Sequence, residues 1–225
     1  MLRIRFSKTG RAVYISHLDL MHTMQRAFSR AGFSLSYSEG FNPHPIISIA
    51  LPLSVGTASL CEIMDFKLSG NVDLKLFPEI LNSSLPEGIT VMDAYEAEMK
   101  VSDLKWLEVK GKFEYDMGDL NEISGSLNSF FSNNCIIIDK KTKRGISEMN
   151  IAPAIENVSF KPAEDFIEIH AVVSAQEPTF NPDLFKEALR QLNPELEPDF
   201  AEFTRIEIYD GNMAQANAEA DGRKG

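Results

Sequence analysis

The sequence predicts an α+β protein with antiparallel sheets, built as two successive halves that each run β-α-β-β-α-β. Three observations lead there. Short segments of alternating apolar and polar residues, such as LRIRFS near the start, are interleaved with longer segments whose apolar residues recur at helical spacing. The polar stretch Glu96 to Leu104 divides the chain into parts that repeat this order without repeating the sequence. A length of 225 residues, 44% of them hydrophobic, suits one large domain or two of about 100 residues each.

The elements follow in order. From Met1 to Ser7, Leu2, Ile4 and Phe6 point one way and Arg3, Arg5 and Ser7 the other, as in a half-buried strand. Lys8 to Arg11 is a turn. Ser16 followed by Asp19 opens a helix in the manner of a capping box; Leu20, Met21, Met24, Ala27, Phe28 and Ala31 form its buried stripe, and Gly32 ends it. Phe33 to Tyr37, Ile46 to Leu53 and Cys61 to Leu68 read as strands, Val72 to Leu85 as a helix and Ile89 to Tyr95 as a strand. That order is the ferredoxin-like arrangement.

In the second half, Trp106 to Tyr115 is a strand and Leu120 to Phe131 a helix. Cys135 to Asp139 and Ile146 to Ile151 form the expected strand pair around the basic turn Lys140 to Gly145. Phe166 to Ser174, the helix Asn181 to Leu192 and the strand Phe203 to Tyr209 complete it. The expected domains are therefore residues 1–98 and 104–210, with 211–225 a disordered tail.

Composition narrows the function classes. No apolar run is long enough to span a membrane, and the charges at the start argue against a secretion signal, so the cytoplasm is the expected compartment. Two cysteines, Cys61 and Cys135, read as reduced thiols there. The net charge is −11, yet residues 1–50 carry +4 and the remainder −15. Overall acidity disfavours a bulk, sequence-blind nucleic-acid binder, and no DNA partner is expected, whereas the local positive excess marks one face for an anionic partner.

The candidate site lies in that basic region. In GFNPHP, Gly40 permits a positive φ, while Pro43 and Pro45 stiffen the backbone around Asn42 and His44. His17 begins the first helix, where a neutral imidazole is favoured. If the loop folds over the helix start, His17 and His44 form an acid–base pair, and His17, Asp19 and His44 become weak candidates for a metal. Glu62 shares strand parity with Met64 and Phe66, so it points inward and needs a partner, with Arg26, Arg30 or His17 the expected one. Arg3, Arg5, Arg11, Arg26 and Arg30, with Tyr37, Ser38, Glu39 and Phe41 nearby in sequence, could hold phosphates and stack a base. The competing reading is that the arginines pair with the abundant acids of the other half and join the two domains.

The runs SHLDLMHTMQRAFSRAG, SYSEGFNPHPIISIALPLSVG and CEIMDFKL resemble the radical-SAM-linked protein family, with weaker matches in KKTKRGISEMNIAPAI and TRIEIYD. Where that family has an Asp-Ile-Arg-Pro-like run, this chain has Met149-Asn150-Ile151-Ala152-Pro153. The resemblance implies a bacterial domain fused to, or encoded beside, a radical SAM protein. The chain lacks the three closely spaced cysteines of a radical SAM cluster. The iron–sulfur cluster and S-adenosylmethionine are accordingly expected in the partner, with no cofactor in this chain. The resulting expectation is an accessory or substrate-binding module acting on RNA or a ribosome-related substrate. The alternatives are a stand-alone His-dependent RNA-processing enzyme and a protein–protein scaffold.

Overall fold

The alternation in LRIRFSK becomes strand β1 (Leu2–Lys8), with Ile4 and Phe6 fully buried. The computed structural model describes residues 1–142, 145–213 and 215, with backbone only at 141 and 142. The chain is a mixed α+β protein of mostly antiparallel sheet, and it divides into two units, Met1–Asp103 and Leu104–Met213.

In the first unit, β1 lies between β3 (Ala58–Phe66) and β4 (Ile89–Glu96), and β2 (Ile47–Ala50) pairs with the other edge of β3. All these pairings are antiparallel, giving the order β4-β1-β3-β2. Helix α1 (His17–Arg30) starts at Ser16, whose hydroxyl accepts the Asp19 amide, and buries Leu20, Met24, Ala27 and Phe28. Phe28 packs edge-on against Phe66 and Phe77, with centroids 4.9 and 5.7 Å away. Burial of such rings on one face of the sheet is the main stabilising contribution.

Three predicted boundaries change here. Helix α2 is only Phe77–Asn82, because the Asp73 carboxylate captures the Lys75 amide in a competing local turn and Pro86 disfavours helical geometry at Leu85. Strand β2 stops at Ala50, since Leu51 has φ 48° and Pro52 follows. Phe33 to Tyr37 is not a strand; it makes only single bridges, Leu35 to Leu68 and Tyr37 to Pro45.

In the second unit, β5 (Leu104–Glu114), α3 (Leu120–Phe131), β8 (Ile155–Pro162), β9 (Ile167–Ser174), α4 (Asp183–Leu192) and β10 (Phe200–Asp210) surround the order β10-β5-β9-β8. Before β8 comes a separate two-stranded ribbon, β6 (Ile137–Thr142) with β7 (Gly145–Asn150). The predicted middle strand pair is therefore this ribbon, and the strand beside β9 is β8, which the sequence reading passed over. In β8 only Phe160 is buried, so an edge strand with polar residues and a terminal proline carries little alternation signal. Phe160 stacks on Phe131 of α3, and Phe185 of α4 meets Phe131, Phe180 and Phe203 in the core.

Lys143 and Arg144 of the predicted basic turn lie outside the described residues, as do 214 and 216–225 of the predicted tail. No helix among the described residues is long and apolar enough to cross a membrane.

Candidate functional site

Helix α1 ends in a Schellman motif. The Phe33 amide bonds back to the Phe28 carbonyl at 2.9 Å, and the Gly32 amide to Ser29 at 3.2 Å, with Gly32 at φ 80°. This reversal brings residues 32–37 alongside the last turns of the helix. The result is an open groove of about 660 Å³ lined by Gln25, Arg26, Ser29, Arg30, Phe33, Leu35, Tyr37 and Pro45, among others. Arg26 and Arg30 stand four residues apart, on one helix face. Both are exposed, and neither meets a carboxylate among the described residues. Arg30 is held in position because its Nη2 donates to the Ser84 carbonyl at 2.6 Å. Tyr37 is 60% exposed, so its ring is open to stacking.

The GFNPHP loop springs from the rim of this groove. Tyr37 and Pro45 bridge its stem. Above them the Ser38 amide donates to the His44 carbonyl at 2.9 Å, and the Ser38 hydroxyl accepts the His44 amide at 3.1 Å. The same hydroxyl lies 2.9 Å from His44 Nδ1. Gly40 takes φ 119° at the bend. Glu39, Asn42 and Pro43 are exposed, and Phe41 at the tip is as open as in an isolated peptide, at 112%.

His17 belongs to a different place. It lines a small cavity of about 10 Å³ with Lys8, Ile15, Leu20, Ile49, Pro52, Leu53 and Glu62, roughly room for one water. Glu62 is 1% exposed, as its strand parity predicts, and Lys8 is 2% exposed, with Nζ donating to the Val13 carbonyl at 3.3 Å. Of the three partners expected for Glu62, His17 shares this cavity, while Arg26 and Arg30 line the groove instead. The sequence reading missed Lys8 by assigning it to the turn. Its parity with Ile4 and Phe6 was the available signal, because it places the side chain on the buried face.

The expected shared pocket of His17 and His44 is thus resolved into two environments. His17 faces the Lys8–Glu62 cavity at the start of α1, whereas His44 is clasped by Ser38 on a loop whose stem meets the other half of that helix. Asp19 closes the helix cap, accepting the Ser16 hydroxyl at 2.7 Å. Arg11 is exposed in the turn before the helix. Among the described residues no three His, Cys, Asp or Glu side chains converge to hold a metal. Arg3 is 1% exposed and grips Asp65 through two bonds of 2.6 and 2.9 Å, a carboxylate of its own unit and not of the other half, where the competing reading looked for partners.

A bacterial family described as "uncharacterized protein conserved in bacteria" matches residues 1–182. No curated protein matches. Among solved structures, a chain of a Cbf5–Nop10–Gar1 complex is similar with a TM-score of 0.49 at 9% identity, over 92% of this chain and 48% of that one. This chain therefore spans about half the length of that chain. An unknown protein from Galdieria sulphuraria is similar with a TM-score of 0.26 at 15% identity, over 91% and 95% of the two chains. Likeness at these levels carries no chemistry over to this chain.

Proposed function

The chain belongs to the DUF2344 family of uncharacterized proteins conserved in bacteria, and from its own geometry we propose a substrate-binding module that holds an RNA strand. The observation that carries this reading is the groove beside α1. It offers two guanidiniums with no carboxylate partner among the described residues and an exposed tyrosine ring, in a volume of about 660 Å³. Guanidiniums bind phosphate oxygens bidentately, and an open aromatic face stacks an unpaired base. The clasped loop extends the surface at the groove's rim. Its Ser38 hydroxyl can donate to His44 Nδ1, which leaves Nε2–H as an outward donor beside Asn42 and Phe41. His44 is then a binding group, and His17 a separate one.

The module acts in the cytoplasm with a radical SAM protein, which supplies the iron–sulfur cluster and S-adenosylmethionine. The sequence runs around SHLDL and GFNPHP support that partnership. The strand orders of the two units, each with two helices, support reading both halves as ferredoxin-like.

The test is a binding titration with single-stranded RNA against salt, in the native chain and in the Arg26→Ala/Arg30→Ala double variant. Loss of two phosphate contacts lowers the slope of log K against log salt by about 1.4 and weakens binding at least about tenfold. An unchanged slope and affinity in a folded double variant would sink this reading.

A further inference from the structure

The second unit carries a cluster that the groove does not involve. On β5, residues Leu107, Val109 and Phe113 face the core, so Glu108 and Lys110 lie on the opposite face of the sheet. His170 on β9 is the direct cross-strand partner of Lys110 and shares that face. Its Nε2 lies 2.6 Å from Glu108 Oε1, and the Tyr209 hydroxyl donates to Glu108 Oε2 at 2.5 Å. Both carboxylate oxygens are engaged, so Glu108 is fixed in orientation. Burial works against the Glu108 charge, but the bonds from Tyr209 and His170 outweigh it and hold its pKa below the usual value.

An ionised carboxylate only accepts, so Nε2 must carry the hydrogen in the neutral ring. The tautomer is thereby set, with the Nδ1 lone pair left over. Nδ1 makes no hydrogen bond to the described residues, and the imidazole is 42% exposed. A carboxylate–imidazole pair with its second nitrogen open is the arrangement of a proton acceptor. Exposed pairs of this kind add little to stability, so folding alone does not require a third group to brace the carboxylate. The other polar neighbours are Ser159, opposite the ring on β8, Glu168, two residues back between Lys161 and Lys112, and Glu207 on β10, opposite Glu108.

We propose that Lys110 and the open Nδ1 edge of His170 form a second substrate site, for a phosphate monoester, with Glu108 and Tyr209 as positioning residues. The hydrogen-phosphate monoanion binds with its charge against the Lys110 ammonium. Its P–O–H proton passes to Nδ1 while the oxygen keeps the electron pair, leaving a phosphate dianion against a lysine and an imidazolium. Glu108 stabilises the imidazolium from the other side. This site stands independently of the RNA groove.

The experiment follows the imidazole nitrogens of the full chain by NMR during titration with inorganic phosphate. Without phosphate, neutral His170 is in the Nε2–H tautomer. At fixed pH, saturating phosphate moves the His170 Nδ1 resonance from the unprotonated towards the protonated range, as an opposite charge within hydrogen-bond reach favours the imidazolium. Lys110→Met weakens phosphate binding about tenfold, the worth of one charge-assisted hydrogen bond. Tyr209→Phe keeps the fold and admits the second tautomer. Arg26→Ala/Arg30→Ala leaves the His170 response unchanged, so failure of the groove reading and of this one are separable. An Nδ1 resonance unmoved by phosphate, or moved equally in Lys110→Met, overturns the proposal.

Discussion

Ser38 and His44 clasp each other three times, the Ser38 amide donating to the His44 carbonyl at 2.9 Å and the serine hydroxyl accepting the histidine amide at 3.1 Å and lying 2.9 Å from its Nδ1. The loop between them is thereby closed locally as well as stiffened by its prolines. Ordering of this kind before a ligand arrives reduces what binding must freeze.

Ser38→Ala should therefore loosen the loop without unfolding the protein. An exposed hydrogen bond contributes about 1 kcal/mol, so amide exchange at His44 should quicken about fivefold. The global denaturation midpoint should stay where it is. Unaltered exchange at His44 would mean that the prolines alone hold the loop.

Arg3 and Asp65 make the contrasting case of a buried pair. Burial works against the guanidinium charge, but Asp65 outweighs it and raises the Arg3 pKa. Asp65→Ala leaves that cation buried without a counter-ion, which costs about 3 kcal/mol in denaturant unfolding. Replacing both residues, Arg3→Met with Asp65→Leu, should recover most of the loss. A mild effect of the single change would show that water reaches Arg3.

Tyr95, two strands from Asp65 on the same sheet, gives a pH signature. Burial pushes its phenol from 10.0 to about 12, against the pull of Arg3 and Arg5. A folded-state pKa raised above the unfolded one contributes stability that is complete below about 10 and is lost as pH rises towards about 12. Stability of the native chain should fall across that window, and Tyr95→Phe should flatten the fall. Ultraviolet titration of the phenolate provides the direct check.

Gly88 is the backbone test. It sits at φ 87°, and a Cβ there would lie 2.4 Å from the Thr9 carbonyl oxygen, whose own amide donates to Gly88 at 2.8 Å. Gly88→Ala should destabilise the first unit by at least about 1 kcal/mol in thermal or denaturant unfolding.

What was legible in the sequence followed from periodicity. The stripe Leu20, Met24, Ala27 and Phe28 and the inward Glu62 are consequences of 3.6- and 2-residue repeats, the cap at Ser16 follows from its hydroxyl and Asp19, and each is found in the structure. The strand β8 was not legible, because an edge strand with one buried aromatic does not alternate. Neither was the separation of His17 from His44, which depends on the Schellman reversal after Arg30 carrying residues 33–37 along the far end of the helix. The Glu108–His170–Tyr209 cluster joins residues 62 and 101 positions apart, so only the strand register could bring it into view.

The ribbon of β6 and β7 departs and returns through a single doorway, where the buried Ile151 donates its amide to the buried Ile136 at 2.9 Å. Gln191 of α4 tethers it, bonding both to the amide and to the carbonyl of Asp139. An excursion whose ends already touch can be lengthened beyond the buried Ile138 and the Asp139 tether to carry a probe, without altering the path of the four strands around it. It is the natural port for a fluorescent or cross-linking label.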